Sequence, residues 1–500
     1  MYICYMKMTC LLRNAALNWP DALALHDGNR SISYIELERL IVGQARRLKR
    51  LGIQSGDRVG ILARNSAEYA AFLFATSRLG ASTVLLNPRH NPREWNNILA
   101  ESKACLLLVD AEHHSTLDSP TIPVWVIDED HSDSISRIVP ADESIPKDID
   151  TEQEATVVFT SGSSGKPKGV ILTYVNHYFN ALGSNENIPL QSPDCWLLSL
   201  PLCHVGGISI LFRSALAGSA AYIMPRFDAA VANSLIDSGV VSHLSLVPTM
   251  LIALLQHRDY RPLPATVKAI LLGGAPMPTS LIERARELKL PLLTSYGLTE
   301  AGSQVCTLSP QDSPEKLTTS GRPLEYRELR VVDTDGLPVP DGTVGEIAVG
   351  GEVLFKGYLG EETFDVDSWF HTGDMGFLDG DGYLIVCGRK DDMLISGGEN
   401  IFPREIEAEV EGFPGITDCA VIGVPDTKWG ERPVLFVEVT AVADCNLDAL
   451  RQHLHERLAR IKVPDTIIIT EKLPRIGIGK VDKVRLMDMY NQRRNNQGAD

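Results

Sequence analysis

The stretch Thr160-Ser161-Gly162-Ser163-Ser164-Gly165-Lys166-Pro167-Lys168-Gly169 follows directly on the apolar run Ala155-Thr156-Val157-Val158-Phe159. The apolar run predicts a buried strand, and the segment after it consists almost wholly of small residues, hydroxyl residues and lysines. Glycines, which lack a Cβ atom, let backbone N–H groups converge on an anion. The hydroxyl groups add hydrogen-bond donors and the lysines add positive charge. The pattern therefore predicts a phosphate-binding loop.

This loop is not a Walker A motif, which needs four residues between its glycines and then Gly-Lys-Ser/Thr. Here two residues separate Gly162 from Gly165, and Pro167 follows the first lysine. The alternative is a flexible glycine–serine surface loop, the usual role of such a composition. A linker rarely follows a buried strand or carries two lysines and a proline, so we favour phosphate binding.

Length and composition limit the class of protein. A chain of 500 residues is too long for one hydrophobic core, so at least two domains are expected. A net charge of −17 argues against nucleic acid or an anionic membrane surface as the main partner. No apolar run reaches the length of a membrane span, and Met1–Asn18 lacks the features of a signal peptide. The nine cysteines include no Cys-x-x-Cys pair, which is typical of reduced thiols. We therefore expect a cytoplasmic protein.

Periodicity predicts the order of elements. Ser33-Tyr34-Ile35-Glu36 is a capping box that opens a helix with apolar residues at helical spacing. From there to about residue 320, apolar runs of strand length alternate with helical patterns, which predicts parallel sheets covered by helices. Shorter strands separated by Asp-Gly turns follow, and a compact segment of mixed helices and strands comes after Gly388.

The predicted fold class is α/β. We expect a large N-terminal domain of helix-covered, mostly parallel sheets with a β-rich subdomain, and a small mobile α+β C-terminal domain. The domains are predicted at residues 1–388 and 389–500. The four charged residues Arg389–Asp392 are the predicted hinge between them.

Two acidic motifs carry candidate chemistry. Tyr296-Gly297-Leu298-Thr299-Glu300 places a carboxylate at a strand end just after a threonine, which suits Mg²⁺ held beside phosphates. The alternative is a turn with a surface glutamate. Trp369-Phe370-His371-Thr372-Gly373-Asp374 places a carboxylate after a turn glycine, where it can bind ribose hydroxyls. An ordinary Asp turn is the alternative there.

Basic residues on loops are the other candidates. Arg389 can bind phosphate or ribose through its guanidinium group, and Gly397-Gly398 would let a backbone pass close to a ligand; a plain linker or a hairpin is the alternative. Lys480 lies on a glycine-flanked loop, where a mobile cation suits charge developing at a phosphate, although lone lysines are usually surface residues. His204, between a strand and an apolar helix, either contacts a substrate carboxylate or is a buried structural histidine.

Taken in this order and spacing, these motifs resemble the adenylate-forming enzymes: acyl- and aryl-CoA synthetases, peptide-synthetase adenylation domains and luciferases. The resemblance covers nearly the entire chain. It implies ATP, Mg²⁺ and coenzyme A as cofactors or co-substrates and a small carboxylic acid as substrate. The partner expectations remain no nucleic acid, no membrane span and a possible homo-oligomer.

Site residues follow from this resemblance, position by position. It implies ATP binding by Thr160, Ser161, Gly162, Ser163, Ser164, Gly165, Lys168, Gly273, Gly274, Ala275, Tyr296, Gly297, Asp374 and Arg389. It implies metal contacts by Glu300 and Thr160, and catalytic roles for Lys480, His204, Thr299 and Glu300. Asp391 matches the hinge position, and Gly397 and Gly398 the CoA channel.

Within the family, four segments are most similar to o-succinylbenzoate–CoA ligases of menaquinone or phylloquinone biosynthesis. They are Pro201–Gly207, Ser245–Thr249, Leu271–Ala275 and Gly297–Val305. The acid would then contact His204, Gly302 and Ser303. Two positions depart from the common pattern, Ile478 for a Ser or Thr and Ser164 for a Thr. A fatty- or aryl-acid CoA ligase, or a non-catalytic nucleotide-binding protein on this scaffold, are the alternatives.

Overall fold

The computed structural model describes residues 7–28, 30–118, 120–127, 145–161, 167–365, 367–439, 445–476 and 480–497. The chain folds into two compact units. The first comprises residues 1–274, 288–329 and 349–370, and the second comprises 275–287, 330–348 and 371–500. Among the described residues, no helix has both the length and the apolar character needed to cross a membrane.

The first unit contains a sheet of seven described strands. In spatial order they are Gly357–Tyr358, Pro167–Thr173, Glu154–Ser161, Ser82–Leu85, Arg58–Leu62, Leu106–Val109 and Val124–Val126. The last five are mutually parallel. At one edge, Pro167–Thr173 pairs antiparallel with Glu154–Ser161, and Gly357–Tyr358 pairs antiparallel with Pro167–Thr173. Strands buried on both faces read as near-continuous apolar runs, as in Leu106–Val109.

A second sheet of nine described strands completes this unit. In spatial order they are Arg322–Pro323, Ser303–Thr307, Leu292–Leu298, Ala269–Leu272, His243–Leu246, Cys195–Leu198, Ala220–Ile223, Leu23–His26 and Ser31–Ser33. The central strands are parallel, whereas Ser303–Thr307 and the two end strands are antiparallel. Met8–Thr9 pairs separately with Asp148–Ile149.

Helices cover these sheets. In the first unit they are Leu11–Asn18, Tyr34–Arg50, Ala67–Arg78, Pro92–Ser102, Ala111–His114, Tyr174–Asn187, Val205–Ala217, Ala229–Asp237 and Pro248–His257, with 3₁₀ turns at Thr299–Ala301 and Pro314–Thr318. Local sequence fixes several starts. Ser33 accepts from the Glu36 N–H and the Glu36 carboxylate accepts from the Ser33 N–H, so the predicted capping box is present.

The second unit contains two sheets. One has the strands Glu328–Val332, Gly345–Gly350, Phe370–Leu378 and Leu384–Arg389; the other has Glu399–Ile401, Leu394–Ser396, Gly430–Val439, Ile416–Asp426 and Thr466–Thr470. Arg475–Ile476 pairs with Lys480–Val481. Its helices are Thr279–Glu287, Pro403–Val410, Leu447–Arg457 and Lys483–Gln497.

Alternating side chains of the long hairpin Ile416–Asp426/Gly430–Val439 form two cores. Val421, Leu435 and Val437 pack with the helices Pro403–Val410 and Leu447–Arg457 on one face. Ile422 and Phe436 pack on the other face with Leu486 of the last helix. The period of two in a strand explains why neighbouring residues enter different cores.

The predicted fold class is confirmed by this architecture. The boundary at residue 389 stays a prediction, since the two compact units divide the chain differently and group 330–348 and 371–388 with the C-terminal segment. The sequence prediction lacked the helices Pro92–Ser102 and Tyr174–Asn187 and the return strand Pro167–Thr173. That strand pairs antiparallel with Glu154–Ser161, the strand that leads into the predicted phosphate loop.

Candidate active site

Five candidate residues of the first unit follow the carboxyl ends of strands in the nine-stranded sheet. His204 follows the strand Cys195–Leu198, Gly273 and Gly274 follow Ala269–Leu272, and Thr299 and Glu300 follow Leu292–Leu298. These strands are parallel within one sheet, so their carboxyl ends share an edge. Ligands of open α/β sheets bind in the crevice at such an edge. The structure therefore brings together residues that are about 100 positions apart in sequence.

Two residues of the predicted phosphate loop, Thr160 and Lys168, are paired across the antiparallel strands Glu154–Ser161 and Pro167–Thr173. Gly162, Ser163, Ser164, Gly165 and Lys166 lie outside the described residues, and so does the side chain of Ser161. Gly169 is described and lies in the strand rather than the loop. A Cβ there would come within 3.1 Å of Leu359 Cβ and Phe159 Cζ, so packing between strands explains this glycine.

Lys168, in the strand Pro167–Thr173, contacts two side chains from a later segment of the chain. Its Nζ lies 3.2 Å from Glu361 Oε1 and 4.4 Å from the ring centroid of Tyr358. Both charged side chains are about half exposed, so the ion pair contributes little. A cation over an aromatic face is a further weak attraction. The lysine therefore stays available to an anion at the loop.

Glu300 lies in the 3₁₀ turn Thr299–Ala301. Its Oε1 accepts a hydrogen bond of 2.9 Å from the Tyr358 hydroxyl, and its backbone carbonyl accepts one of 2.8 Å from the Phe355 N–H. Within the described part of the chain, no lysine or arginine forms an ion pair with Glu300. A carboxylate held by a neutral donor and lacking a protein cation is suited to a bound metal ion.

Gly302 and Ser303 follow this turn. Gly302 has φ of +66° and ends the turn, and its position is close to Asn180. The Asn180 amide donates to the carbonyls of Ala301 and Gln304, at 3.0 and 3.3 Å. Ser303 has φ of +143°, a conformation that is costly for a residue with a side chain. Such strained positions cluster at functional sites, so this one favours the predicted role of Ser303.

His204 begins the helix Val205–Ala217. Its Nε2 is buried without a hydrogen-bond partner among the described residues. Burial, with help from the charges of Arg89 and His90, lowers the pKa of His204 to about 4. The imidazole is therefore neutral at pH 7 and acts as a hydrogen-bonding group rather than a cation. Sequence reasoning missed Arg89 and His90, which follow a strand of the other sheet.

Arg213 is a second candidate that sequence reasoning missed. It is fully buried in the helix Val205–Ala217, and its Nε, Nη1 and Nη2 have no hydrogen-bond partner among the described residues. Its guanidinium lies 5.2 Å from the Trp196 ring. Burial and the charge of Arg327 lower the pKa of Arg213 to about 9. A buried, unpaired cation is costly unless an anion or water joins it, and a single arginine in an apolar helix offers no motif to recognise.

The turn Gly273-Gly274-Ala275 and Tyr296 were predicted to contact adenine. Gly274 has φ of +80°, which explains a glycine at that position. Tyr296 lies in the strand Leu292–Leu298, where it pairs with Cys306, and the register shifts between Tyr296 and Gly297. These residues are thus placed at the sheet edge, and their contact with adenine stays a prediction.

In the second unit, Asp374 and Arg389 are paired directly across two antiparallel strands. Arg389 Nη1 lies 3.0 Å from Asp374 Oδ1 and donates to the carbonyl of Thr372 at 2.9 Å. Gly373, at φ +71°, makes room for this guanidinium, because a Cβ there would lie 3.0 Å from Arg389 Nη2. The two residues expected at a ribose are thus neighbours.

Asp391 lies in the turn 390–392 after the strand Leu384–Arg389. The flanking Lys390 is fixed, since its Nζ lies 2.9 Å from Glu346 Oε2 and its N–H donates to the Gly373 carbonyl. On the other side, Asp392 pairs with Lys483 at 3.0 Å. A turn held at both ends is a reasonable hinge, and that role stays a prediction.

Gly397 and Gly398 form a two-residue hairpin turn, with φ of +58° and +85°. Two positive φ angles are the mark of a type I′ turn, which favours glycine at both positions. The hairpin that the sequence allowed as an alternative is therefore present. It explains both glycines without a ligand, and a CoA channel stays a prediction. Lys480 lies in a short strand; its side chain, and Gly477–Gly479 before it, lie outside the described residues.

Comparison with known proteins decides the family. Residues 12–359 match the model of the family described as AMP-binding enzyme, and residues 405–480 match its C-terminal domain. The chain belongs to the AMP-binding enzyme family. The resemblance predicted from the motifs is thereby confirmed, and the chain is an acyl-adenylate-forming member of the AMP-forming acid–CoA ligases.

Individual members of the AMP-binding family are similar over almost the whole chain. The 2-succinylbenzoate–CoA ligase of Geobacillus kaustophilus is 37% identical over 94% of this chain and 95% of its own length. The o-succinylbenzoate CoA synthetase of Bacillus subtilis, solved with the acyl-adenylate intermediate, has a TM-score of 0.87 at 33% identity, covering 96% of this chain and 98% of that one. The same Bacillus subtilis enzyme, solved with ATP and magnesium, has a TM-score of 0.85 at 32% identity, covering 95% and 98%.

Proposed function

We propose that this AMP-binding enzyme is a 2-succinylbenzoate–CoA ligase acting in menaquinone or phylloquinone biosynthesis. The observation that carries the proposal is the likeness, along nearly the entire chain, to a ligase solved with its o-succinylbenzoyl adenylate. The reaction has two steps. A carboxylate oxygen of the acid attacks the α-phosphorus of ATP and pyrophosphate leaves; then the CoA thiol, losing its proton, attacks the acyl carbon and AMP leaves.

The first step depends on positioning and charge neutralisation rather than on covalent chemistry by the protein. The loop after Thr160 and Lys168 would bind phosphate, and Thr299 would donate to the α-phosphate. Asp374 would accept from the ribose hydroxyls. Its contact with Arg389 fixes the carboxylate in place. Lys480 would neutralise the charge that develops at the phosphate in this first step, and it would have no role in the second step.

The donors present fit a magnesium ion carried by the nucleotide. Among the described residues, no group of three or more His, Cys, Asp and Glu could hold a metal by itself. Mg²⁺ at nucleotide sites usually takes one or two carboxylates and completes its coordination with phosphates and water. Glu300 and Thr160 would supply the protein oxygens that bind the magnesium ion. When bound, the ion neutralises phosphate charge.

In the second step the segment after Asp391 would reorient, withdrawing Lys480 and admitting CoA beside Gly397 and Gly398. Turns that absorb such a change lie at the ends of elements. The contacts of Lys390 and Asp392 hold the chain on either side of Asp391, which concentrates the change of backbone angles at that residue.

The residues predicted to contact the acid favour a substrate with two carboxylates. Gly302 and Ser303, both small, would leave room for a ring, and neutral His204 and the Ser303 hydroxyl would donate hydrogen bonds. The buried Arg213 guanidinium adds a cation that lacks a partner among the described residues. Arg327, whose charge lowers the pKa of Arg213, donates to the carbonyl of Gln304 in the strand that begins at Ser303. A fatty acid would offer such groups nothing beyond its reacting carboxylate.

The test is thioester formation, measured by mass, from o-succinylbenzoate, benzoate and straight-chain acids of short, medium and long length. We expect ATP-dependent o-succinylbenzoyl-CoA and pyrophosphate, with little product from the other acids. A chain that accepts medium or long fatty acids as well as o-succinylbenzoate is instead a fatty-acid CoA ligase with the same adenylate chemistry.

A further inference from the structure

Tyr358 connects the phosphate hairpin with the turn that carries Glu300. It lies in the strand Gly357–Tyr358, which pairs antiparallel with Pro167–Thr173, so that Val170 faces Tyr358. The sequence around it, Lys356-Gly357-Tyr358, carries no motif that assigned it a role. The side chain is half-buried.

Two groups expected at the nucleotide touch this one side chain. The hydroxyl donates to Glu300 Oε1 at 2.9 Å. The ring lies 4.4 Å below Lys168 Nζ. The ring itself is fixed, because it packs edge-on against Phe355, with centroids 4.9 Å apart.

We propose that Tyr358 is a positioning residue that orients the Glu300 carboxylate toward the metal and confines the Lys168 ammonium over its ring. The proposal deepens the proposed function, on which it rests for the binding of ATP and magnesium. Tyr358 itself touches no reacting atom in this scheme.

The hydroxyl matters because the rest of Glu300 is already held. Its backbone carbonyl accepts from the Phe355 N–H, so the remaining freedom is rotation of the side chain. The bond to Tyr358 engages one carboxylate oxygen and leaves the other for a cation. Removing an outer partner of a metal ligand typically weakens metal affinity or activity by about 10- to 100-fold.

The ring matters for Lys168 because its ion pair is weak. Glu361 is 54% exposed and the lysine 45%, so solvent screens that contact. The aromatic face beneath Nζ limits where the ammonium can go. The hydroxyl and the ring of Tyr358 therefore act on different ligand groups, and two substitutions separate them.

The experiment measures ATP binding by calorimetry, with magnesium or with a chelator, in the absence of any acid or CoA. Tyr358→Phe keeps the ring and removes the hydroxyl. We expect its ATP affinity to equal that of the parent protein in chelator and to be about ten-fold weaker with magnesium. Tyr358→Leu removes both groups and should also weaken binding in chelator.

Tyr326→Phe is the matched control. Tyr326 also donates to a carboxylate in the first unit, Glu186 Oε1, at the same 2.9 Å. Its replacement by phenylalanine should leave the ATP affinity unchanged both with magnesium and in chelator. The positioning role is wrong if Tyr358→Phe binds magnesium–ATP as tightly as the parent protein, or loses affinity equally with and without magnesium. Because no acid is present, either result leaves the choice of substrate untouched.

Discussion

The carbonyl oxygen of Ser303 occupies the place where a Cβ atom at residue 297 would have to lie, and residue 297 is glycine. The two residues belong to paired antiparallel strands, with a register shift beside Gly297. Ser303 is itself held at φ of +143°. The turn between them carries Thr299 and Glu300, so the placement of both depends on this close backbone approach.

Gly297→Ala should therefore remove ATP binding and lower the free energy of unfolding by about 2 kcal/mol or more, because the new methyl group collides with backbone that cannot move aside. Calorimetry and urea unfolding measure the two effects. Gly380→Ala is the control, since a Cβ there meets nothing within 4 Å. Normal ATP binding by Gly297→Ala would show that the turn does not depend on this contact.

Lys480→Ala should lower acyl-adenylate formation at least about a hundred-fold, on the order of one strong transition-state contact. Thioester formation from pre-formed adenylate should stay close to normal. Pyrophosphate release and single-turnover thioester synthesis separate the steps, with exposed Lys472→Ala as the control. Equal losses in both steps contradict the assigned role.

Asp391→Pro should give the opposite pattern, because proline fixes φ at the predicted hinge. Adenylate formation should largely survive while transfer to CoA slows. The same two assays measure this. Asp381→Pro, in the Asp-Gly turn between Phe370–Leu378 and Leu384–Arg389, tests whether a proline in another turn of this unit has the same effect. A normal rate of overall thioester synthesis would rule out reorientation about Asp391.

Acid should destabilise the fold through His177. Burial lowers its pKa from 6.5 to about 4, and its Nε2 lies 2.8 Å from Thr156 Oγ1. Between these two pKa values the unfolded chain binds a proton that the folded chain does not, so stability falls as pH falls. The loss from this group between pH 7 and pH 5 is about 2 kcal/mol.

His177→Gln should reduce the change in urea midpoint between those two pH values. Exposed His455→Gln serves as the control. An unchanged pH dependence in His177→Gln would mean that the folded protein already accommodates a protonated His177.

The fold class and most parallel strands could be predicted because buried strands are uniform apolar runs, as at Leu106–Val109. The family could be predicted because its motifs are short and lie on loops. The candidate roles of Tyr358 and Arg213 could not be predicted, because they depend on neighbours that lie far away in the sequence. The glycine pair at 397–398 shows the reverse case: local turn geometry alone accounts for residues that the motif assigned to a ligand.

The most direct test of the account is a competition in which one sample contains equal concentrations of o-succinylbenzoate and decanoate with limiting CoA. A site built to hydrogen-bond polar groups strongly rejects analogues that lack them. The account predicts o-succinylbenzoyl-CoA in at least about a hundred-fold excess, and loss of that excess in Ser303→Leu. Comparable amounts of the two thioesters from the unaltered protein would contradict it.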